Sequence, residues 1–372
     1  MRIAIDSNIF TMQKYGGVSR YLVRLGEELV RLGNDVGVFG WLHANRHLAE
    51  SEVGLTGMRY VKGFPKFTRR LAHYAGDFSA GMEMSRWKPD LIHESYCHAR
   101  MVGTRATPRV CTVHDMIHEL FPHYWGRMDR TPEYRRKTIE RCHAVICVSE
   151  STRRDLLSLV DVDPAKVHVI HHGFEHNCDL RPLSPAEDFV HRRFAASSYL
   201  LYVGARHGYK NFEGLLRGLV QAQLHRDLGI VAFGGGALTA REAKLIKDLD
   251  IPPDHVVQVG GSDALLHKLF GTAVAFVYPS LYEGFGFPPL EAMAQSCPVV
   301  SSNASCMPEV IGDAAQFFDP SDVPAIGAAI EAVVRSTQRR QELVRRGHER
   351  LKAFSWAKCA AETMDVYRSV LD

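Results

Sequence analysis

The sequence predicts an α/β fold made of two doubly wound parallel-sheet domains, and three observations carry that prediction. Short apolar runs bounded by turn residues alternate with longer helical patterns from end to end, as parallel strands covered on both faces do. The chain has 372 residues, enough for two cores at about 150 residues per domain. The alternation runs through one series, pauses over the polar, strand-poor residues 173–196 with Pro182 and Pro185, and then begins again.

In the first series the buried-strand candidates are residues 2–5, 35–39, 91–93, 109–113, 144–148 and 166–170. They are short and bounded by turn residues, which separates them from helical stretches such as 19–32 and 132–141. The second series has strands at 199–203, 228–233, 256–259, 273–277 and 299–301. Helices at 212–224, 240–250, 264–270, 289–295 and 323–336 separate or follow them. A basic helix at 337–354 precedes a last helix at 356–371 that can cross back to the first domain. The expected domains are 1–178 and 179–355, with 356–372 packing on the first. No internal repeat or low-complexity tract interrupts the series.

Composition excludes several classes. Apolar residues make up 46% and charged residues 23%, which rules out disorder and collagen-like repeats. With 45 Lys and Arg against 42 Asp and Glu, the net charge of +3 does not imply nucleic acid. The eight Cys show no CxxC spacing, as suits a reducing cytosol without structural disulfides or zinc ribbons. Met1 to Asp6 reads as a strand, so no secretory signal is expected, and no run approaches the 18 apolar residues of a membrane span. The expectation is a cytoplasmic protein, soluble or resting on a membrane surface. Lys62-Gly63-Phe64-Pro65-Lys66-Phe67-Thr68-Arg69-Arg70-Leu71 is a basic-aromatic stretch suited to anionic lipid, with a solvated loop or helix face as the plainer alternative. The Arg-rich residues 335–350 are expected to face solvent.

In open parallel sheets ligands bind at the carboxyl edge, so residues just after strands matter most. The strongest segment is Ser280-Leu281-Tyr282-Glu283-Gly284-Phe285-Gly286-Phe287-Pro288-Pro289-Leu290-Glu291-Ala292-Met293. It follows an apolar strand and opens a helix, with prolines in the first turn, where a missing N–H costs little. A helix start after a glycine-bearing loop is an anion site. Glu283 and Glu291 bracket it as acceptors suited to vicinal diols; an ordinary strand–turn–helix with an incidental acidic pair is the alternative. Gly16 and Gly17 before a helix allow close approach to phosphate, although most such pairs mark simple turns. Gly234-Gly235-Gly236 also follows a strand, where close packing explains it equally well. His114-Asp115-x-x-His118 invites a metal reading, which lacks a third ligand at recognisable spacing.

The spacing Glu283-x7-Glu291 within SLYEGFGFPPLEAMA resembles the signature of the retaining glycosyltransferases of family 4, which have the two-Rossmann-domain GT-B fold. LLYVGARHGYKNFEGL at 200–215, CPVVSSNASCMPEVIGDAAQFFDP at 297–320 and Gln13-Lys14-Tyr15-Gly16-Gly17-Val18-Ser19-Arg20 are similar to further parts of that family, so the resemblance covers nearly the whole chain. Where relatives have glycine after the Glu helix, this chain has Ser296, which puts local stability in doubt.

The resemblance implies two Rossmann-like domains facing a cleft and a set of roles. Arg206 and Lys210 would neutralise the diphosphate of a nucleoside diphosphate sugar, with Gly16 and Gly17 close to the phosphates. Glu291 would hold the ribose, while Glu283, Gly284 and the backbone at Phe285, Gly286 and Phe287 hold the sugar, beside Pro288 and Leu290. Val259 and Gly260 would edge the base. His114 would lie by the donor sugar, with His114 or Asp115 open to a general-base role. No bound metal is expected, because cations and helix starts neutralise the diphosphate. DSNIFTMQKYGGVSRYL and VHDMIHELFP resemble the bacterial mannosyltransferase-like branch of O-antigen and exopolysaccharide synthesis, which favours GDP-mannose over a UDP-sugar. The implied acceptor is a glycan, often on a polyprenyl diphosphate at the inner membrane face. A nucleotide-sugar epimerase or hydrolase, or a non-catalytic sugar-binding protein, would share the architecture.

Overall fold

The structure is a computed structural model that describes residues 1–64, 68–175 and 181–372. It divides into two compact units, Met1–Gly173 with Phe354–Asp372, and Phe174–Ala353. Pro65, Lys66 and Phe67 of the basic-aromatic stretch and residues 176–180 of the polar joint lie outside the described residues.

The first unit contains β1 (Arg2–Asp6), β2 (Asp35–Phe39), β3 (Leu42–His43), β4 (Gly54–Thr56), β5 (Arg59–Tyr60), β6 (Leu91–Glu94), β7 (Arg109–Val113), β8 (Ala144–Cys147) and β9 (Val167–Val169). Seven of these form one parallel sheet in the order β4-β2-β1-β6-β7-β8-β9, while β3 pairs with β5. The second unit contains β10 (Tyr199–Val203), β11 (Gly229–Phe233), β12 (Val256–Val259), β13 (Ala275–Tyr278), β14 (Val299–Ser302) and β15 (Ala315–Phe318). They form a six-stranded parallel sheet, β12-β11-β10-β13-β14-β15. Crossovers run outward in both directions from the centre of each sheet, which under the right-handed rule for parallel connections covers both faces with helices. The order reverses between β1 and β6 and again between β10 and β13, and at those points a crevice opens beyond the strand ends.

Both sheets are buried on two faces, which explains their near-continuous apolar strands. In the second unit Phe212, Leu215, Leu216 and Leu219 recur at helical spacing on the helix Phe212–Gln221 and join Leu200, Ile230 and Val277 in the core. That helix lies against Val323–Val334 at two glycines. A Cβ at Gly327 would stand 2.6 Å from the Gly218 carbonyl oxygen, and one at Gly218 would stand 2.6 Å from Ile326 Cγ2.

In the first unit the helix Trp356–Leu371, capped by Ser355 accepting from the Lys358 N–H, packs on Gly17–Arg31. Gly173 admits the Trp356 backbone, whose Cα would be 2.4 Å from a Cβ there. A buried carboxylate in the sheet collects two arginines. Glu94 receives Arg109 at 2.9 Å and Arg141 at 2.5 and 2.8 Å.

Several elements depart from the sequence reading. Ser184 to Ala196 was expected to belong to a linker, yet Pro185–Ala195 is a helix with a full capping box between Ser184 and Glu187. The Ser-Pro-x-Glu start is visible in the sequence and is a helix signal. The helix Arg69–Trp87 escapes pattern reading because Tyr74, Phe78 and Met82 lie exposed along it, Phe78 at 71%. The basic helix Thr337–Leu351 is not purely solvent-facing. Arg340 donates to the Val333 carbonyl at 3.0 Å and Arg350 to that of Val310 at 2.8 Å. Ser296 takes the left-handed conformation expected of glycine, φ 56°, with its hydroxyl 3.0 Å from His348 Nε2. The hydrogen bond offsets part of a conformational cost of about 1 kcal/mol.

Gly327→Ala should force the two helices apart and cost about 1–3 kcal/mol, read as a lower urea midpoint. An unchanged midpoint would show that the helix contact tolerates the methyl group.

Candidate active site

In the second unit, β10 and β13 are neighbours at the point where strand order reverses, so their following loops leave the sheet side by side. The loop after β10 carries Lys210 and the loop after β13 carries Glu283. Lys210 Nζ meets Glu283 Oε1 at 2.6 Å, with both side chains mostly buried. The loops are tied through the backbone, Leu281 N–H donating to the Tyr209 carbonyl at 2.7 Å. Asn211, left-handed at φ 53°, ends the first loop and donates to the carbonyls of Pro279 at 3.1 Å and Pro320 at 2.9 Å.

The Glu283 turn is held from below. Ser305 Oγ accepts the Glu283 N–H at 2.9 Å, and Cys306 Sγ donates to the Phe285 carbonyl at 3.3 Å. Glu283 and Gly284 are buried, and the Phe285 and Phe287 rings meet edge to face with centroids 5.4 Å apart. Tyr278 lies beneath. Burial and the Glu283 carboxylate both push its phenol far up, so it stays a neutral donor. Gly286 starts the helix Phe287–Ala294 at φ 86°, where a Cβ would also press the Tyr278 ring at 3.3 Å. Pro288 and Pro289 remove two of the N–H groups that a helix start leaves over, and Leu290 anchors the first turn in the core. Glu291 lies half-buried just past that turn. A lysine ammonium beside a carboxylate, at a loop-to-helix start on the carboxyl edge, can take an anion and offer acceptors to hydroxyls.

Arg206 departs from its expected place. Its Nε donates to Glu242 at 2.8 Å, and its two terminal nitrogens donate at 2.9 Å to the carbonyls of Gly234, Gly236 and Ala237. The side chain is 2% exposed. The guanidinium therefore ties two strand-end loops together instead of standing open to a ligand. This also explains the triple glycine: each residue has φ between 69° and 83°, and a Cβ at Gly235 would lie 2.8 Å from Arg206 Nη1. Val259 uses its carbonyl to accept the Gly234 N–H at 2.8 Å. Gly260 then leads into Ser262, whose N–H is held by Glu187 at 2.8 Å.

In the first unit Gly16 caps the helix Gly17–Arg31 with extended backbone. A Cβ there would lie 2.5 Å from Gln13 Oε1, the atom that accepts the Ser19 N–H at 3.3 Å. Gly16 thus makes room for a borrowed cap. His114 follows β7, stacked on His172 with centroids 5.5 Å apart and edge-on to Tyr21. Its Nε2 is buried without a hydrogen-bond partner. Burial pulls the His114 pKa down to about 4, against the pull of Asp115 and helped by Arg135, so the ring is neutral at pH 7. Asp115 accepts the Ile117 N–H at 3.2 Å and lies 3.5 Å from Arg135. His118 turns away, bonded to Asp129 at 2.7 Å and stacked on Trp125, so the His114 and His118 rings do not converge as ligands.

Beneath His114 lies a buried polar chain. His93 bonds Tyr367 at 2.5 Å and Thr112 at 3.0 Å, and Thr112 bonds Tyr21 at 3.1 Å. Sequence reading missed His93, His172, Asn211, Ser305 and Tyr278. Only Asn211, directly before a helical run, carried a local signal.

Burial holds His93 near pKa 3 and His114 near 4, both below the ordinary 6.5. Below pH 6.5 the unfolded chain takes up protons that these folded sites refuse. Stability should therefore fall as pH drops from about 6.5 towards 4. Thermal melts across that range should show the decline, and His93→Gln should flatten it; an equal slope in that variant would assign the loss to other groups.

Comparison with known proteins gives concordant results. The family profile described as Glycosyltransferase Family 4 matches residues 15–177, and that described as Glycosyl transferases group 1 matches residues 184–350. The O-antigen chain mannosyltransferase B of Escherichia coli is 31% identical over 276 residues, covering 70% of each chain. The MMP alpha-(1->4)-mannosyltransferase of Mycolicibacterium hassiacum is 26% identical over 427 aligned positions, covering 100% of this chain and 98% of that one. Among solved structures, the sucrose-phosphate synthase of Thermosynechococcus elongatus superposes with a TM-score of 0.75 at 19% identity, over 100% of this chain and 99% of that one, a likeness of fold. With its two parallel-sheet units and these relatives, the chain belongs to glycosyltransferase family 4 and is a glycosyltransferase of the GT-B fold.

Proposed function

We propose that the enzyme transfers mannose from GDP-mannose to a hydroxyl of a growing cell-surface glycan, with retention at the anomeric carbon. The acceptor glycan is carried on a polyprenyl diphosphate at the inner face of the plasma membrane. The observation that carries the donor site is the Lys210–Glu283 pair at 2.6 Å, at the strand-order reversal. The mannosyltransferases among the relatives support the sugar.

In this reading the bond from C1 of mannose to the β-phosphate oxygen breaks as the bond from C1 to the acceptor oxygen forms. The acceptor proton passes to the leaving diphosphate, and GDP departs. Charge grows on that diphosphate in the transition state, where the Lys210 ammonium and the helix start at Gly286 stabilise it without a divalent ion. Glu283 keeps the ammonium in place before the donor arrives. Arg206 acts as a positioning residue through the loops it ties. Glu291 accepts from the ribose hydroxyls, the Glu283 turn holds the sugar, and neutral His114 can serve sugar hydroxyls as donor or acceptor. Among the described residues no helix is long and apolar enough to cross a membrane.

Thermal-shift titration with GDP, UDP, ADP and their common sugar conjugates tests the donor, since a ligand of the native state raises the melting temperature by mass action. GDP and GDP-mannose should raise it selectively, and equally when measured against an EDTA-treated baseline. A selective UDP response would overturn the donor, and silence across the panel would overturn the site. Glu291→Gln should weaken GDP-mannose by about 10- to 100-fold, the loss of a charged hydrogen bond of roughly 1.5–3 kcal/mol. Lys210→Ala should depress kcat more than donor affinity.

A further inference from the structure

Among the described residues, one group of three ligating side chains lies close enough to share an ion: His73 and Asp77 of the helix Arg69–Trp87, and His98 of the loop after β6. It sits in the first unit, at the carboxyl edge where strand order reverses between β1 and β6, and includes neither His114 nor His118. One ligating atom from each residue lies within 4.8 Å of the others. His73 and Asp77 are one helical turn apart, which places both side chains on the same face.

The orientation of the His98 ring is set by its surroundings. Its Nδ1 lies 3.0 Å from the Arg100 carbonyl oxygen, which can only accept, so Nδ1 carries the proton. A ring oriented this way turns Nε2 towards the other two residues, the arrangement of a histidine prepared to bind metal. That Nε2 lies 2.9 Å from His73 Nε2 and 3.7 Å from Asp77 Oδ2. The loop itself is clamped. The His98 N–H donates to Thr138 at 3.1 Å, and Arg141 donates to the His98 carbonyl at 3.0 Å. Asp77 Oδ2 is buried yet accepts no hydrogen bond, and such an orphaned carboxylate oxygen is costly. Arg100, on the same loop, lays its guanidinium over the Tyr74 ring at 4.3 Å.

We propose that His73, Asp77 and His98 form a binding site for one divalent transition-metal ion of the zinc class. A single cation would satisfy the Asp77 oxygen and take both imidazoles in place of the His73–His98 hydrogen bond. Two ligand atoms on tetrahedral zinc stand about 3.3 Å apart when each bond is about 2.0–2.1 Å, and the observed separations of 2.9 and 3.7 Å bracket that value. Two imidazoles and one carboxylate suit zinc and its first-row neighbours rather than calcium or magnesium. With three protein ligands the ion keeps a position for water or another oxygen ligand. Bound there, it pins the helix Arg69–Trp87 to the loop after β6. The site is independent of the donor chemistry proposed for Lys210 and Glu283.

The test uses the full-length, tag-free protein, stripped with a chelator and titrated with zinc chloride against a chromophoric chelator. The wild type should retain one zinc per chain, and His98→Ala and Asp77→Asn should each weaken that binding at least tenfold. Retention of no zinc, or equal retention by both variants, would overturn the site and leave a plain His73–His98 hydrogen bond. Should the variants fail to fold, cobalt(II) added to the stripped wild type decides. Intense visible bands of four- or five-coordinate cobalt support the site, and the pale spectrum of aqueous cobalt refutes it.

Discussion

The pairing of β10 with β13 is the constraint from which the donor-side chemistry follows. These strands are distant in sequence, and their adjacency arises because the parallel sheet grows outward from its centre in two directions. Two crossovers that diverge to opposite faces leave no helix over the strand ends between them. The loops after β10 and β13 fill that gap. Once they share it, a lysine from one meets a glutamate from the other at 2.6 Å, and a helix start points at the same place. The remaining interactions keep the loops from drifting. Asn211 reaches Pro279 and Pro320, Ser305 holds the Glu283 amide, and Tyr278 underlies Gly286.

Buried arginines recur as staples in both units. Arg109 and Arg141 converge on Glu94, Arg135 meets Asp115 and Glu119, and Arg206 joins Glu242 to three carbonyls. Removing a charge from water is expensive unless nearly every donor finds a partner, and the planar guanidinium fork can satisfy several at once. A lysine offers a compact charge on a flexible stem instead. This difference fits the proposed roles, in which Lys210, with a fifth of its side chain exposed, meets the incoming ligand and Arg206 positions the loops.

The first unit shows the other consequence of burying polar groups. Tyr367, His93, Thr112 and Tyr21 form a continuous hydrogen-bonded chain beneath His114, and Tyr367 arrives on the C-terminal helix. The neutrality of His114 and His93 thus depends on how well residues 354–372 cover the unit. Dry surroundings lower the pKa of an imidazole, and the same dryness makes each missing hydrogen bond costly.

Local information in the sequence determined the fold class and most of its strands, because apolar runs between turn residues carry that pattern without tertiary context. It also exposed Glu283 and Glu291 as a pair and Lys210 as a cation after a strand. Elements that failed to declare themselves have physical reasons. The helix Arg69–Trp87 leaves Tyr74, Phe78 and Met82 in solvent, which erases its amphipathic signature. The strand β15 mixes buried and half-buried residues over only four positions. Only tertiary structure decided that Arg206 turns inward, that Lys210 and Glu283 touch, and that His73 and Asp77 meet His98. Each of those outcomes depends on which strands lie side by side. That order is set by cooperative packing of the whole sheet, not by the residues flanking any one strand.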